Sequence, residues 1–90
     1  MTPTTTERPA ELAGLPPEKQ RTLDVRAMLR SGGEPFGEIM EAISQVPPGG
    51  ALRLRTTFKP APLFAVLRVR GWKHWIEHGE DDDWIVWFYH

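Results

Sequence analysis

The chain has 90 residues, 40% of them apolar, a formal net charge of −1 and no cysteine. That is the size of a single domain, whose folding covers only about 60–65% of the surface of the unfolded chain. The missing cysteine excludes disulfides, thiol nucleophiles, persulfides and thiolate metal sites, and the charge argues against a generic nucleic-acid binder, which carries a clear basic excess.

Residues 1–20, rich in Thr, Pro, Glu and Ala, read as a flexible N-terminal arm. Pro3, Pro9, Pro16 and Pro17 interrupt any long helix, and the composition is that of a mobile segment. Leu12 and Leu15 are its handles for docking on the domain, which is expected over residues 21–90. Met1–Arg8 lacks the basic start and apolar centre of a secretory signal. No apolar run approaches the roughly 20 residues of a membrane span. Together with the absence of cysteine, these features point to a cytoplasmic chain with no membrane partner.

Arg21–Arg26 alternates, with Leu23 and Val25 on one face and Thr22, Asp24 and Arg26 on the other, which predicts a half-buried strand. A glycine-containing loop follows over Ala27–Gly33. Pro35 suits a first helical turn, and Phe36, Ile39, Met40, Ile43 and Val46 recur at helical spacing, which makes them the buried stripe of a first helix. Pro47-Pro48-Gly49-Gly50 stops it. Ala51–Thr56 alternates again as a second strand. Thr57–Pro62 turns into a second helix with Leu63, Phe64, Val66 and Leu67 inward, and Gly71 occupies the position after its C-cap. Trp72–His78 is a third strand, Gly79–Asp83 a polar hairpin connection, and Trp84–Tyr89 a fourth strand.

The order β-α-β-α-β-β defines an α+β fold, a two-layer α/β sandwich. Its mixed sheet of four strands carries two helices on one face, because two short helices cover one face of such a sheet and not both. Alternation assigns Leu23, Val25, Leu52, Leu54, Trp72, Ile76, Trp84, Val86 and Phe88 to the helix side. Asp24, Arg26, Arg53, Arg55, Lys73, Trp75, Glu77, Ile85, Trp87 and Tyr89 fall on the open side.

The strand Leu23-Asp24-Val25-Arg26 and the helix start Glu34-Pro35 resemble the TusA/SirA sulfur-carrier family, which reads Leu-Asp-x-Arg-Gly-x-x-Cys-Pro-x-Pro at this place. The chain resembles more closely a sister group, domain-of-unknown-function family 2249. The pieces that carry this are Leu23–Arg26, Glu34–Phe36, Pro47–Gly50, Phe58–Leu63, Gly71-Trp72 and Trp84–Val86, in order, within about Arg21–His90. The resemblance implies a two-layer sandwich in which the last strand inserts antiparallel between the second and third. The carrier's Cys-Pro falls near Gly32 and Gly33 here. Neither Gly32 nor Ser31 forms a persulfide, so sulfur relay is excluded on chemistry and no catalytic residue is carried over.

Four features invite a functional reading. The loop places Arg26, Arg30, Ser31, Gly32 and Gly33 before a helix N-terminus, where free amides and guanidinium groups attract an anion; Glu34 competes for the same donors, and the alternative is a plain loop. On the open face Arg53, Arg55, Trp75, Trp87 and Tyr89 interleave arginines with aromatics, with Trp75 expected across from Trp87. That mixture marks an interface for a protein partner or a second copy. It also has the residue types of a stacking platform for single-stranded nucleic acid, and the remaining alternative is that the arm covers it through Leu12 and Leu15. His74 and His78 lie about 13 Å apart along a strand, too far to share an ion, and His90 is expected near Trp72, so no metal site follows. The bases Arg53–Lys73 and the acids Glu77–Asp83 make the domain electrically lopsided, a layout that steers partners or merely solvates the surface; the Asp run lacks the ligand spacing of a calcium loop. No nucleophile–base pair is present and no cofactor is implied. The leading expectation is a small non-catalytic interaction domain that uses its open sheet face. The alternatives are an accessory module binding a small ligand, anion or metal for a redox or metallocofactor system, and a weak single-strand nucleic-acid binder.

Overall fold

The computed structural model describes residues 8–90. Residues 1–7 of the expected arm lie outside the described residues. The elements run α1 (Ala10–Ala13), a 3-10 turn at Pro17–Lys19, β1 (Gln20–Asp24), α2 (Arg26–Arg30), α3 (Phe36–Ser44), β2 (Ala51–Thr56), α4 (Ala61–Val69), β3 (Lys73–Glu80) and β4 (Asp83–Tyr89). The four strands form one mixed sheet in the order β1-β2-β4-β3. β1 runs parallel to β2, and β4 lies antiparallel between β2 and β3, as the resemblance implied.

α3 and α4 pack on one face of this sheet. Their Ile39, Ile43, Leu63 and Leu67 meet Val25, Leu52, Leu54, Val86 and Phe88, with Leu23, Trp72 and Ile76 at the margin. Except for Trp84, whose ring sits at the β3–β4 hairpin by Gly79 and Asp81, the inward set of the sheet is the one alternation assigned. The helix stripes are narrower than the sequence suggested. Phe36 and Val66, expected inside, are exposed: α3 begins only at Phe36 and enters the core at Ile39, and α4 buries Leu63 and Leu67 but not Val66.

The expected loop after β1 contains a helix. Ala27, Met28, Leu29 and Arg30 favour helix, and the Asp24 carboxylate accepts the Arg26 N–H at 3.0 Å, an Asx-turn contact that starts α2. Gly32, at φ +87°, ends it, with Gly33 N–H donating to Met28 O at 2.8 Å and Gly32 N–H to Leu29 O at 3.1 Å, a Schellman closure. Gly71, at φ +89°, closes α4 in the same way through Trp72 N–H to Leu67 O at 2.9 Å.

β3 carries a bulge between Ile76 and His78. The extra residue is Glu77. It turns the tip of the strand by one register step, so that His78 faces the open side opposite Ile85 while His74 stays on the helix side opposite Phe88. The hairpin then closes on Asp81 and Asp82 alone, with Asp81 at φ +52°, a tighter turn than the expected Gly79–Asp83 connection. No helix among the described residues is long and apolar enough to cross a membrane.

Candidate functional site

The sheet register assembles the open face as expected: Arg53 pairs with Trp87, which pairs with Trp75, and Arg55 pairs with Ile85. Contacts then divide this face into two halves. The arginine half is a ladder of ion pairs. Arg55 makes a two-pronged contact with Asp83, Nε–Oδ1 and Nη2–Oδ2 both at 3.0 Å. Arg53 Nε lies 3.6 Å from Glu77 Oε1, the same oxygen that accepts the Trp87 indole N–H at 2.7 Å. The bulge at Glu77 therefore aims one carboxylate at both an arginine and a buried tryptophan. His78 Nε2 sits 3.8 Å from Asp83 Oδ2. The Asp83 carboxyl is held below its ordinary range by the Arg55 hydrogen bond, against the opposing effect of desolvation.

The aromatic half is not a free surface. Leu12 lies against Ala51, Trp87 and Tyr89 in a second, smaller core, with Leu15 and Trp75 beside it. Leu12, Trp87 and Tyr89 keep only 2%, 4% and 7% of their surface exposed. The Arg8 guanidinium carbon stands 5.1 Å from both the Trp75 and the Trp87 rings, within cation–π range. Glu11 Oε2 accepts from Lys73 Nζ at 3.2 Å. The segment read as a flexible arm thus lies across the sheet from Arg8 to Leu15. Trp87 and Tyr89, expected as exposed interface residues, are covered by the chain itself, because Leu12 buries more apolar surface there than in water. The same segment lies over the Trp75 and Trp87 rings that a stacking platform for single-stranded nucleic acid would use.

The expected anion loop does not assemble. Arg26 is tied to Asp24, Nη2–Oδ2 at 2.8 Å and Nε–Oδ1 at 3.0 Å. These bonds, Arg26 first, hold the Asp24 carboxyl at about 2, well below its ordinary value. The amides of Ser31, Gly32 and Gly33 donate to Ala27, Leu29 and Met28 carbonyls, and the Ser31 hydroxyl donates to Met28 O at 3.0 Å. The physical reason is α2: Arg30–Gly33 follow a helix C-terminus, the end whose dipole repels anions. At the next helix start the Phe36 N–H already donates to the Glu34 carboxylate at 3.3 Å.

His74 and His78 lie on opposite faces of the sheet. His74 stacks on Phe64 at 3.7 Å between ring centroids and 8° between planes, and its pKa is lowered by burial first and then by the charges of Arg68 and Lys59. His90 lies against Trp72 with ring centroids 4.0 Å apart. Among the described residues no group of three or more His, Cys, Asp or Glu is placed to hold a metal ion.

The surface missed by sequence reasoning lies at the carboxyl ends of the parallel strands, where α3 and α4 begin. Pro35, Phe36 and Ile39 from one side and Phe58, Pro60, Pro62 and Leu63 from the other line an open groove of about 200 Å³, with Glu34 its one charged wall. Phe36 and Phe58 are 46% and 47% exposed. The groove has stiff walls. Pro60, at φ −82° and ψ 57°, is the centre of an inverse γ-turn closed by Ala61 N–H to Lys59 O at 2.8 Å. The signal in the sequence was two aromatics each set among prolines, Glu34-Pro35-Phe36 and Phe58-Lys59-Pro60-Ala61-Pro62, at the entrances of both helices. Helix periodicity drew Phe36 into the core and hid it.

The fold is thus a two-layer α+β domain with ion-paired arginines, a covered aromatic face and an open apolar groove. The family model described as "Uncharacterized conserved protein (DUF2249)" matches residues 22–90, and the chain belongs to that family. No curated protein and no solved structure matches it.

Proposed function

We propose that this protein is a non-catalytic interaction domain that docks a partner protein in the groove between Glu34–Phe36 and Phe58–Leu63. The observation that carries the reading is the pair of half-exposed phenylalanines flanking an apolar groove. Contiguous apolar exposure of this kind marks a docking site rather than ordinary surface. The volume takes one or two side chains. The carboxylate of Glu34 favours a partner segment in which an aliphatic or aromatic side chain stands beside a Lys or Arg. Turn geometry and prolines hold the walls in place before binding, which lowers the ordering cost of association.

The open sheet face stays a docking surface for a protein partner or a second copy only where that partner displaces the segment Arg8–Leu15. Of the other readings, binding of an anion or a metal finds no support in the loop or in the histidines, whose donors and rings are engaged elsewhere. Panning a random twelve-residue peptide display library tests the groove. The intact chain is expected to enrich peptides with an apolar residue next to a basic one, and the Phe36→Ser/Phe58→Ser chain to lose that enrichment while keeping its fold. Equal enrichment by both, or none by the intact chain, would count against the proposal.

A further inference from the structure

The segment over the aromatic half of the sheet is attached in an unusual way for a piece of core. Its backbone hydrogen bonds, Leu12 and Ala13 N–H to Pro9 O and Leu15 N–H to Leu12 O, close within the segment. Among the described residues none crosses from it to the sheet backbone. α1 has four residues and no side-chain cap, far too short to hold helical shape in water. The surface beneath therefore imposes the segment's form. Four side chains make the attachment: Leu12 in the smaller core with Leu15 beside it, Arg8 over the Trp75 and Trp87 rings, and Glu11 on Lys73.

Trp87 needs no hydrogen bond from this segment. The Trp87 indole N–H donates to Glu77, which belongs to β3. No buried side-chain polar atom lacks a partner among the described residues, and withdrawing the segment breaks the exposed Glu11–Lys73 pair and, next to the joint, the 3.0 Å bond that the Gln20 side-chain amide donates to Leu15 O. Gly14, with open space around it, and Pro16-Pro17 form the joint to β1.

We infer that Arg8–Leu15 is a resident ligand of the Trp75–Trp87–Tyr89 surface, and that this surface takes in exchange a partner protein's segment of the same chemistry. That segment carries a cation, a leucine-like side chain one helical turn later and a second apolar residue three positions on. Arg8, Leu12 and Leu15 define this spacing, and Glu11 opposite Lys73 adds a charge match. The surface is distinct from the groove, and the inference stands or falls separately from the groove reading. The resident segment works as an intramolecular competitor. Its effective concentration is on the order of millimolar for so short a tether, so it masks the surface from weak ligands and admits a partner that binds more tightly.

The test uses the full chain and a fluorescein-labelled peptide of residues 8–15. Fluorescence anisotropy is recorded with the intact protein, with Leu12→Asp and with Leu12→Ala. Both variants are expected to bind the peptide about fivefold more tightly than the intact chain does, since the competitor is loosened. A peptide of the same composition in scrambled order is expected not to bind, and sedimentation is expected to give one chain per peptide. Equal affinity of intact chain and variants, or no binding to a folded variant, overturns the inference. A Leu12→Asp chain that loses its far-ultraviolet circular dichroism overturns it too, because a resident ligand leaves a folded domain behind. Dimers of the intact chain that disappear on Leu12→Asp substitution assign the surface to a second copy instead.

Discussion

Leu12 and Leu67 are both almost fully buried, at 2% and 1% exposure, yet truncating them should have unequal consequences. Leu67 lies in the main core among residues of both layers. Its side chain cannot be withdrawn without unfolding the domain, so Leu67→Ala bears the full cavity and transfer cost of about 2–5 kcal/mol. At about 3 kcal/mol, Tm falls by about 12–24 °C, using about 4–8 °C per kcal/mol for a domain of this size. Leu12 is the anchor of a short segment in which the gain from burying apolar surface is opposed by the ordering of the segment's own backbone, so the margin that holds the segment is small. Once a truncation exceeds this margin the segment leaves, and no further loss accrues. Leu12→Ala should therefore lower Tm by less than about 8 °C, or about 1 kcal/mol. Differential scanning calorimetry measures both values. Hydrogen exchange supplies the local readout, with amides 10–15 exchanging faster in Leu12→Ala and those of β2 and β4 unchanged. If Leu12→Ala costs as much Tm as Leu67→Ala and speeds exchange throughout the sheet, the segment is an integral part of one cooperative core and the reasoning fails.

Three further outcomes follow from the geometry. The Asp24 carboxyl, lowered to about 2 chiefly by its hydrogen bonds with Arg26, contributes stability that is present above its ordinary value near 4 and is lost as pH falls through about 2; Asp24→Asn should flatten acid unfolding in that window, as followed by circular dichroism. His74 is held neutral by burial and by Arg68 and Lys59. Its folded pKa lies below the unfolded one, so the unfolded chain binds the extra proton and stability rises with pH up to the unfolded pKa near 6.5. Proton NMR should find His74 titrating below that value, and Arg68→Ala should move it part of the way back. A Cβ on Gly79 would stand 2.4 Å from the Trp84 ring, so Gly79→Ala should cost about 1–3 kcal/mol by overpacking; urea unfolding that leaves the midpoint unchanged would show that Trp84 swings aside freely.

The order of elements, the one-sided helix layer and, except for Trp84, the inward set of each strand were legible in the sequence, because period-two and helical repeats of apolar residues are local and are set by the same burial that builds the sheet. The stop of α4 at Gly71 was legible for a similar reason, since only glycine sits easily at φ +89°. The absence of cysteine alone excluded sulfur relay. Other features were decided by contacts between distant residues. The bulge at Glu77, which brings His78 beside Asp83 and one carboxylate between Arg53 and Trp87, depends on how β3 meets β4. The short helix α2, with its Asp24–Arg26 contact, turned an expected anion loop into a closed helix C-terminus. Leu12 was visible as a handle, but its seat on Ala51, Trp87 and Tyr89 exists only once β2 and β4 are side by side. The groove joins Phe36 to Phe58 across the starts of two helices. Periodicity reports how a residue is placed within its own element. Which surface that element leaves open is settled by what packs over it, and here the fold covered the aromatic sheet face and exposed the two phenylalanines.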